Sequence, residues 1–120
     1  MLATINRGGI QGGGAASSYE VTQEDVLVPI SGPMNNTRSD TCWFVVTAND
    51  KYGYVANFQS GDLSSYRVEP DGTLIRLQPL AAVLGPPESG PAGQALSINS
   101  KFRYVQVVNE GTVAAFKVDQ

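Results

Sequence analysis

The chain repeats itself with a period of 50 residues, and that repeat limits its fold more than any local signal does. Val45–Val68 aligns with Ala95–Val118 without a gap, and six of the 24 positions are identical: Asn49/Asn99, Lys51/Lys101, Tyr54/Tyr104, Val55/Val105, Gly61/Gly111 and Val68/Val118. Average composition gives roughly one or two such matches by chance. Substitutions such as Tyr52/Phe102, Leu63/Val113, Tyr66/Phe116 and Arg67/Lys117 keep residue character. At a shift of 47, Gly14–Ile30 falls on Gly61–Leu77, with Gly14, Ser17, Ser18, Tyr19, Val21 and Leu27 matching their counterparts.

Each unit reads as four short strands. In the central one these are Trp43–Thr47, Tyr52–Ala56, Leu63–Val68 and Thr73–Leu77. The third alternates Leu63, Ser65 and Arg67 against Ser64, Tyr66 and Val68, the two-residue period of a pleated sheet. Glu69-Pro70-Asp71-Gly72 is a turn signal, because Pro presets φ and Gly supplies a positive φ. Apolar spacing of 3.6 residues persists nowhere for three turns; Leu80–Leu84 is expected to form a brief helical turn. Short strands and a period near 50 predict an all-β chain of four-stranded antiparallel β-propeller blades. A β-sandwich also has short strands and frequent turns, but nothing in it requires a 50-residue repeat.

The blades divide the chain into an N-terminal partial blade with its connection (1–42), a complete blade with its connection (43–88) and a C-terminal partial blade (89–120), all parts of one propeller segment. Propellers close with four to eight blades, roughly 200–400 residues at this period, whereas this chain has 120 and forms an incomplete ring of about two blades. A blade face of roughly 400 Å² left uncovered forfeits about 10 kcal/mol of apolar burial, comparable to a domain's whole stability. Val113, Ala115 and Ala16 lack the polarity of end caps. The expected partners are therefore other blades, either as the rest of a longer propeller or as copies of this chain assembled into a ring.

Composition narrows the chemistry. The chain has no His and a single Cys, Cys42. This excludes Ser-His-Asp and Cys-His machinery, His-ligated zinc or haem, an internal disulfide and a CxxC knuckle. No cofactor and no metal is expected. A net charge of −3 argues against a nucleic-acid partner. No apolar run approaches the ~18 residues of a membrane span. Met1–Arg7 is too short and too polar for a signal peptide, so the expectation is a soluble chain with no signal of its own, which fixes no compartment. Asn35-Asn36-Thr37 forms a glycosylation sequon, a tripeptide too common to carry weight alone.

Several segments also look familiar. Tyr54-Val55-Ala56-Asn57, followed by Gly61, Leu63 and Ser65-Tyr66-Arg67-Val68, resembles the YVTN-type repeat. Pro70-Asp71-Gly72-Thr73-Leu74, and Ser89-Gly90-Pro91 followed by Ala95-Leu96-Ser97, resemble the lactonase-type seven-bladed propeller family, which includes 6-phosphogluconolactonases and carboxymuconate-lactonizing enzymes. The resemblance runs from about Gly14 to Val118. It implies a propeller fold and, for the parent family, lactone hydrolysis with a lactone or sugar-like ligand. Two departures stand out. The family's Pro-Asp-Gly-Arg hairpin is replaced by Ala48-Asn49-Asp50-Lys51 and Ile98-Asn99-Ser100-Lys101, and no His exists to take the family's catalytic histidine role.

Topology puts the second-to-third turn and the fourth-to-first connection at one end of a blade. The innermost strands, Trp43–Thr47 and about Gly93–Ser97, would line the channel. A lactone hydrolase needs a base to activate water and donors to hold the oxyanion. At that end Asp40 and Glu110 are the candidate acids and Arg38 the candidate cation, while Thr41, Trp43, Asn57 and Asn109 are candidate binding residues. Each also has a plain structural reading: Asp40 as a turn residue, Glu110 as a solvated one, Cys42 as a small buried hydrophobe. Trp43 reads as inter-blade core, and Lys51, Lys101 and Arg103 read as solvated edge charges. The Arg7–Gly14 run lacks the Gly-Lys-Ser/Thr ending of a phosphate loop and precedes a strand, so it reads as a flexible inter-strand loop.

Overall fold

The computed structural model describes residues 2–5 and 10–118. They form antiparallel strands in three sheets. The first sheet is β1 (Leu2–Ile5), β2 (Ala15–Val21) and β3 (Leu27–Asn35); the second is β4 (Thr41–Val46), β5 (Tyr52–Asn57), β6 (Asp62–Val68) and β7 (Leu74–Val83). The third is β8 (Pro91–Leu96), β9 (Phe102–Val107) and β10 (Thr112–Lys117), with one 3-10 turn at Val108–Glu110. Each sheet is a meander in sequence order, and the sheets stack as propeller blades in a ring that is not closed.

The repeat in sequence is a repeat in hydrogen bonding. In the β4–β5 hairpin, Thr47 N donates to Tyr52 O at 2.9 Å and Asp50 N to Thr47 O at 2.9 Å. In the β8–β9 hairpin, Ser97 N donates to Phe102 O at 2.9 Å and Ser100 N to Ser97 O at 2.7 Å. Asn49 Oδ1 accepts from Lys51 N and Asn99 Oδ1 from Lys101 N, both at 3.1 Å. The left-handed position of these hairpins is held by Asp50 (φ 58) and Ser100 (φ 53). The Asn two residues after Thr47 or Ser97 closes the turn with its own side chain, so no glycine is required.

Alternation decides which side of each sheet is core. Val55, Tyr66 and Leu74 face the first sheet and cluster with its Ala16; Ala56 and Leu63 face the third sheet and cluster with Val105. Polar links cross the same seams: Ser31 Oγ accepts from Leu74 N at 2.9 Å, and Ser100 Oγ from Ala48 N at 2.7 Å.

The structure corrects three sequence expectations. Leu80–Leu84 is not a helical turn, because β7 runs to Val83 and pairs Ala82 with Leu63 and Val83 with Asp62. A bulge between Leu63 and Ser65 absorbs the extra residues, and Ser64 Oγ donates to Pro79 O at 2.6 Å within it. Trp43 is not inter-blade core: it sits in a β4 bulge with φ 53, which turns the side chain outward to 57% exposure. Arg103 is not a solvated edge charge but is only 4% exposed. The reading of Arg7–Gly14 as a loop falls partly outside the described residues; within them, Gly13 N closes a turn onto Ile10 O at 3.0 Å.

Candidate functional site

At the end of the second sheet that carries the β5–β6 turn and the β3–β4 connection, polar side chains from three segments converge. Asn57, the last residue of β5, lies at their centre. Its Oδ1 accepts from Thr41 Oγ1 at 2.7 Å and from Asn36 Nδ2 at 2.9 Å. Its Nδ2 donates to Asp62 Oδ1 at 2.8 Å and to Ser64 Oγ at 2.9 Å. Asn36, Thr41, Asn57, Asp62 and Ser64 are all buried. The second oxygen of Asp62 accepts from Arg38 Nη2, so a buried carboxylate is both ion-paired and hydrogen-bonded. A buried charge survives only with such compensation, because desolvation costs several kcal/mol (about that order) otherwise.

The local chain explains how the residues meet. Gly14 must be glycine, since a Cβ there would lie 2.0 Å from Thr41 Oγ1 and 2.8 Å from Asn36 Oδ1. Its N–H and C=O pin the connection by bonds to Arg38 O (2.8 Å) and from Asn36 N (3.0 Å). Gly61 takes φ +71 in the β5–β6 turn, and a Cβ there would lie 2.3 Å from Pro86 O. Above the network a cleft of about 700 Å³ opens between the connections; its charged lining residues are Arg38 and Glu88.

The sequence candidates separate into two groups. Arg38, Thr41 and Asn57 belong to the network just described. Asp40 stands in the connection with φ 56, and its carbonyl accepts from Phe58 N at 2.8 Å. Gly90 is its counterpart one period later, with φ 74 and the matching bond from Val108 N at 2.9 Å. The left-handed conformation is therefore a feature of the blade connection. Asn109 and Glu110 lie on the third sheet; Asn109 Nδ2 donates to Glu88 O at 2.6 Å, and Glu110 is exposed. Trp43 is separate again, on the outward bulge. Asn36, Asp62 and Ser64 complete the network without having been singled out in the sequence. Asp62 and Ser64 are strand residues of β6 and Asn36 lies in the β3–β4 connection; in the sequence, polarity was their only signal.

Cys42 is half-buried, and burial, reinforced by the nearby Asp40 charge, pushes its thiol pKa up. It is therefore not an activated nucleophile. Both oxygens of Asp62 are engaged by donors. The arrangement is a polar clasp joining β4, β5 and β6 to the incoming connection, with the partly exposed Arg38 at its edge.

The fold is that of β-propeller blades in a ring that is not closed. The structure is similar to that of a protein described as a putative 6-phosphogluconolactonase from Bacteroides uniformis, with a TM-score of 0.75 and 21% identity, over 99% of this chain and 36% of that one. It is also similar to hydrazine synthase from Kuenenia stuttgartiensis, with a TM-score of 0.68 and 16% identity, over 97% of this chain and 36% of that one. At these identities the likeness is one of fold. The chain thus spans little more than a third of either structure's length. No family model and no curated protein matches the sequence.

Proposed function

We propose that this chain is a structural segment of a lactonase-like propeller with YVTN-type blades, inactive in lactone hydrolysis by itself and acting through the further blades it packs against. One observation carries this reading. Leu63, on the face of the second sheet covered by the third, is 0% exposed, whereas Val113, its counterpart on the third sheet, is 66% exposed. Phe102 and Tyr104 are exposed on that same outer face, where a further blade would cover them. The partner is another blade, from a longer propeller or from a second copy of the chain.

Hydrolysis has weaker support. A lactonase would need an unengaged base near oxyanion donors. The acids nearest the clasp are Asp62, which is saturated with donors, and Asp40, which stands in a strained connection. The test is 6-phosphogluconolactone hydrolysis by the purified chain, with folding verified by circular dichroism. The expected rate equals the spontaneous one; a protein-dependent rate abolished by Arg38→Met would establish the enzymatic reading instead.

A further inference from the structure

The β3–β4 and β7–β8 connections are one period apart, with Ser39 and Ser89 identical, and both line the cleft of about 700 Å³ above the Asn57 clasp. What recurs in both belongs to the blade; what does not belongs to this cleft. Asp40 (φ 56) and Gly90 (φ 74) are counterparts and both left-handed, so that conformation is part of the repeat. Thr37 (φ 63) and Glu88 (φ 67) are left-handed too, but their counterparts Pro87 and Arg38 are not. A positive φ is costly for a β-branched residue above all, and it persists only where the surroundings fix it. Both residues line the cleft, and both are pinned. Thr37 N donates to Asn35 Oδ1 at 2.7 Å, and its Oγ1 to Asn36 O at 2.6 Å. Glu88 N donates to Gln59 O at 2.9 Å, and its carbonyl accepts from Asn109 Nδ2 at 2.6 Å. Two neighbouring turns thus hold Glu88, an exposed residue, in a conformation the repeat does not demand.

The two connections bring opposite charges to the cleft. Asp62 takes Nη2 of Arg38, while Nε is buried without an acceptor and Nη1 donates to none of the described residues. The Arg38 side chain is 30% exposed, so the guanidinium keeps donors that the clasp leaves unused. The Glu88 carboxylate is in no ion pair among the described residues. The rest of the lining is neutral and polar. It includes Gln11, Gln59 and Ser60, whose Oγ accepts from Ser39 N at 2.8 Å and whose O–H remains to donate. Pro87 supplies the only apolar side chain among the described lining residues, so an apolar ligand gains little here. A lone anion meets Glu88, and a lone cation meets Arg38.

We infer that this cleft binds a small zwitterion, the amino-carboxylate group of an α-amino acid with a neutral polar side chain. The ligand carboxylate accepts from the unused donors of Arg38 and from the Ser60 hydroxyl. Its ammonium donates to Glu88, and its side chain meets the amides of Gln11 and Gln59. A pair of opposite charges selects against ligands that carry only one of them. The pinned backbones of Thr37 and Glu88 keep both walls in place before the ligand arrives, which lowers the ordering cost of binding. All lining residues belong to turns and connections of the three sheets described, so the site does not depend on the further blades proposed above.

The test uses the whole chain and three probes with one skeleton: L-glutamine, the same molecule without its ammonium (glutaramate), and the same molecule without its carboxylate (γ-aminobutyramide). Binding is read from the amide resonances of Gly12, Ser39, Ser60 and Glu88 and from the Arg38 Nε–H. Saturable shifts are expected with L-glutamine, about fivefold tighter than with either singly charged analogue, the size of one exposed ion pair. Glu88→Gln is expected to weaken L-glutamine about fivefold and to leave glutaramate as tight or tighter. The substitution is isosteric at an exposed residue and keeps both backbone bonds, and an unchanged spectrum away from the cleft verifies folding. Three results would overturn the inference: no saturable shift with L-glutamine, equal affinity for the three probes, or a Glu88→Gln variant that weakens L-glutamine no more than glutaramate.

Discussion

The face of the second sheet that meets the third and the outer face of the third sheet are built from the same repeat, yet they are in opposite states. On the second sheet, Leu63 and Ala56 close a buried cluster with Val105 of the third sheet. On the third sheet, Val113, Phe102 and Tyr104 stand in solvent although their counterparts Leu63, Tyr52 and Tyr54 are covered or half-covered. The difference lies in what each sheet has for a neighbour and not in its composition. A blade is amphipathic on both faces in the sense that neither is polar enough to end a stack.

This contrast can be broken most directly at the repeated pair. Leu63→Ala is expected to cost about 3 kcal/mol, and Val113→Ala to stay within about 0.5 kcal/mol, by urea denaturation. Equal losses at the two positions would mean that the outer face is covered. Asn57→Ala tests the clasp: it strips Asp62, Thr41 and Asn36 of a shared partner and is expected to cost about 2 kcal/mol. Its counterpart one period on is Val107, where no comparable polar network is present, so Val107→Ala would report packing loss alone.

A smaller effect concerns pH. Burial pushes the Tyr66 phenol up to about 12, with the Arg76 charge and a hydrogen bond from Asn36 opposing the shift. The folded state therefore keeps a proton that the unfolded chain releases above its ordinary value near 10. The stability this gives is complete below pH 10 and is lost as pH rises towards 12. Alkaline titrations of the chain and of Tyr66→Phe, followed by circular dichroism, are expected to show a shallower decline for the variant across that window. Parallel declines would place the phenol in solvent.

Much of the fold was legible because strand alternation and turn chemistry act locally. Asn49 and Asn99 mark hairpins that the structure closes by identical bonds, and Glu69-Pro70-Asp71-Gly72 marks the β6–β7 turn, where Gly72 N bonds Glu69 O at 2.8 Å. What escaped depends on stacking. Trp43 and Arg103 exchange their expected environments because a bulge turns one outward and the neighbouring sheet covers the other. The run Leu80–Leu84 is apolar enough for a helical turn, but pairing with β6 draws it into the sheet. The site was half legible: Arg38, Thr41 and Asn57 were marked by topology, whereas Asn36 and Asp62 join them through contacts spanning 21 and 24 residues.

The central proposal is that a further blade covers the exposed outer face of the third sheet. Sedimentation equilibrium of the purified chain, over a range of concentrations with folding verified, tests it most directly. The account expects concentration-dependent self-association that weakens when Val113 and Tyr104 are both changed to Ser. A folded, strictly monomeric chain at all concentrations would contradict it.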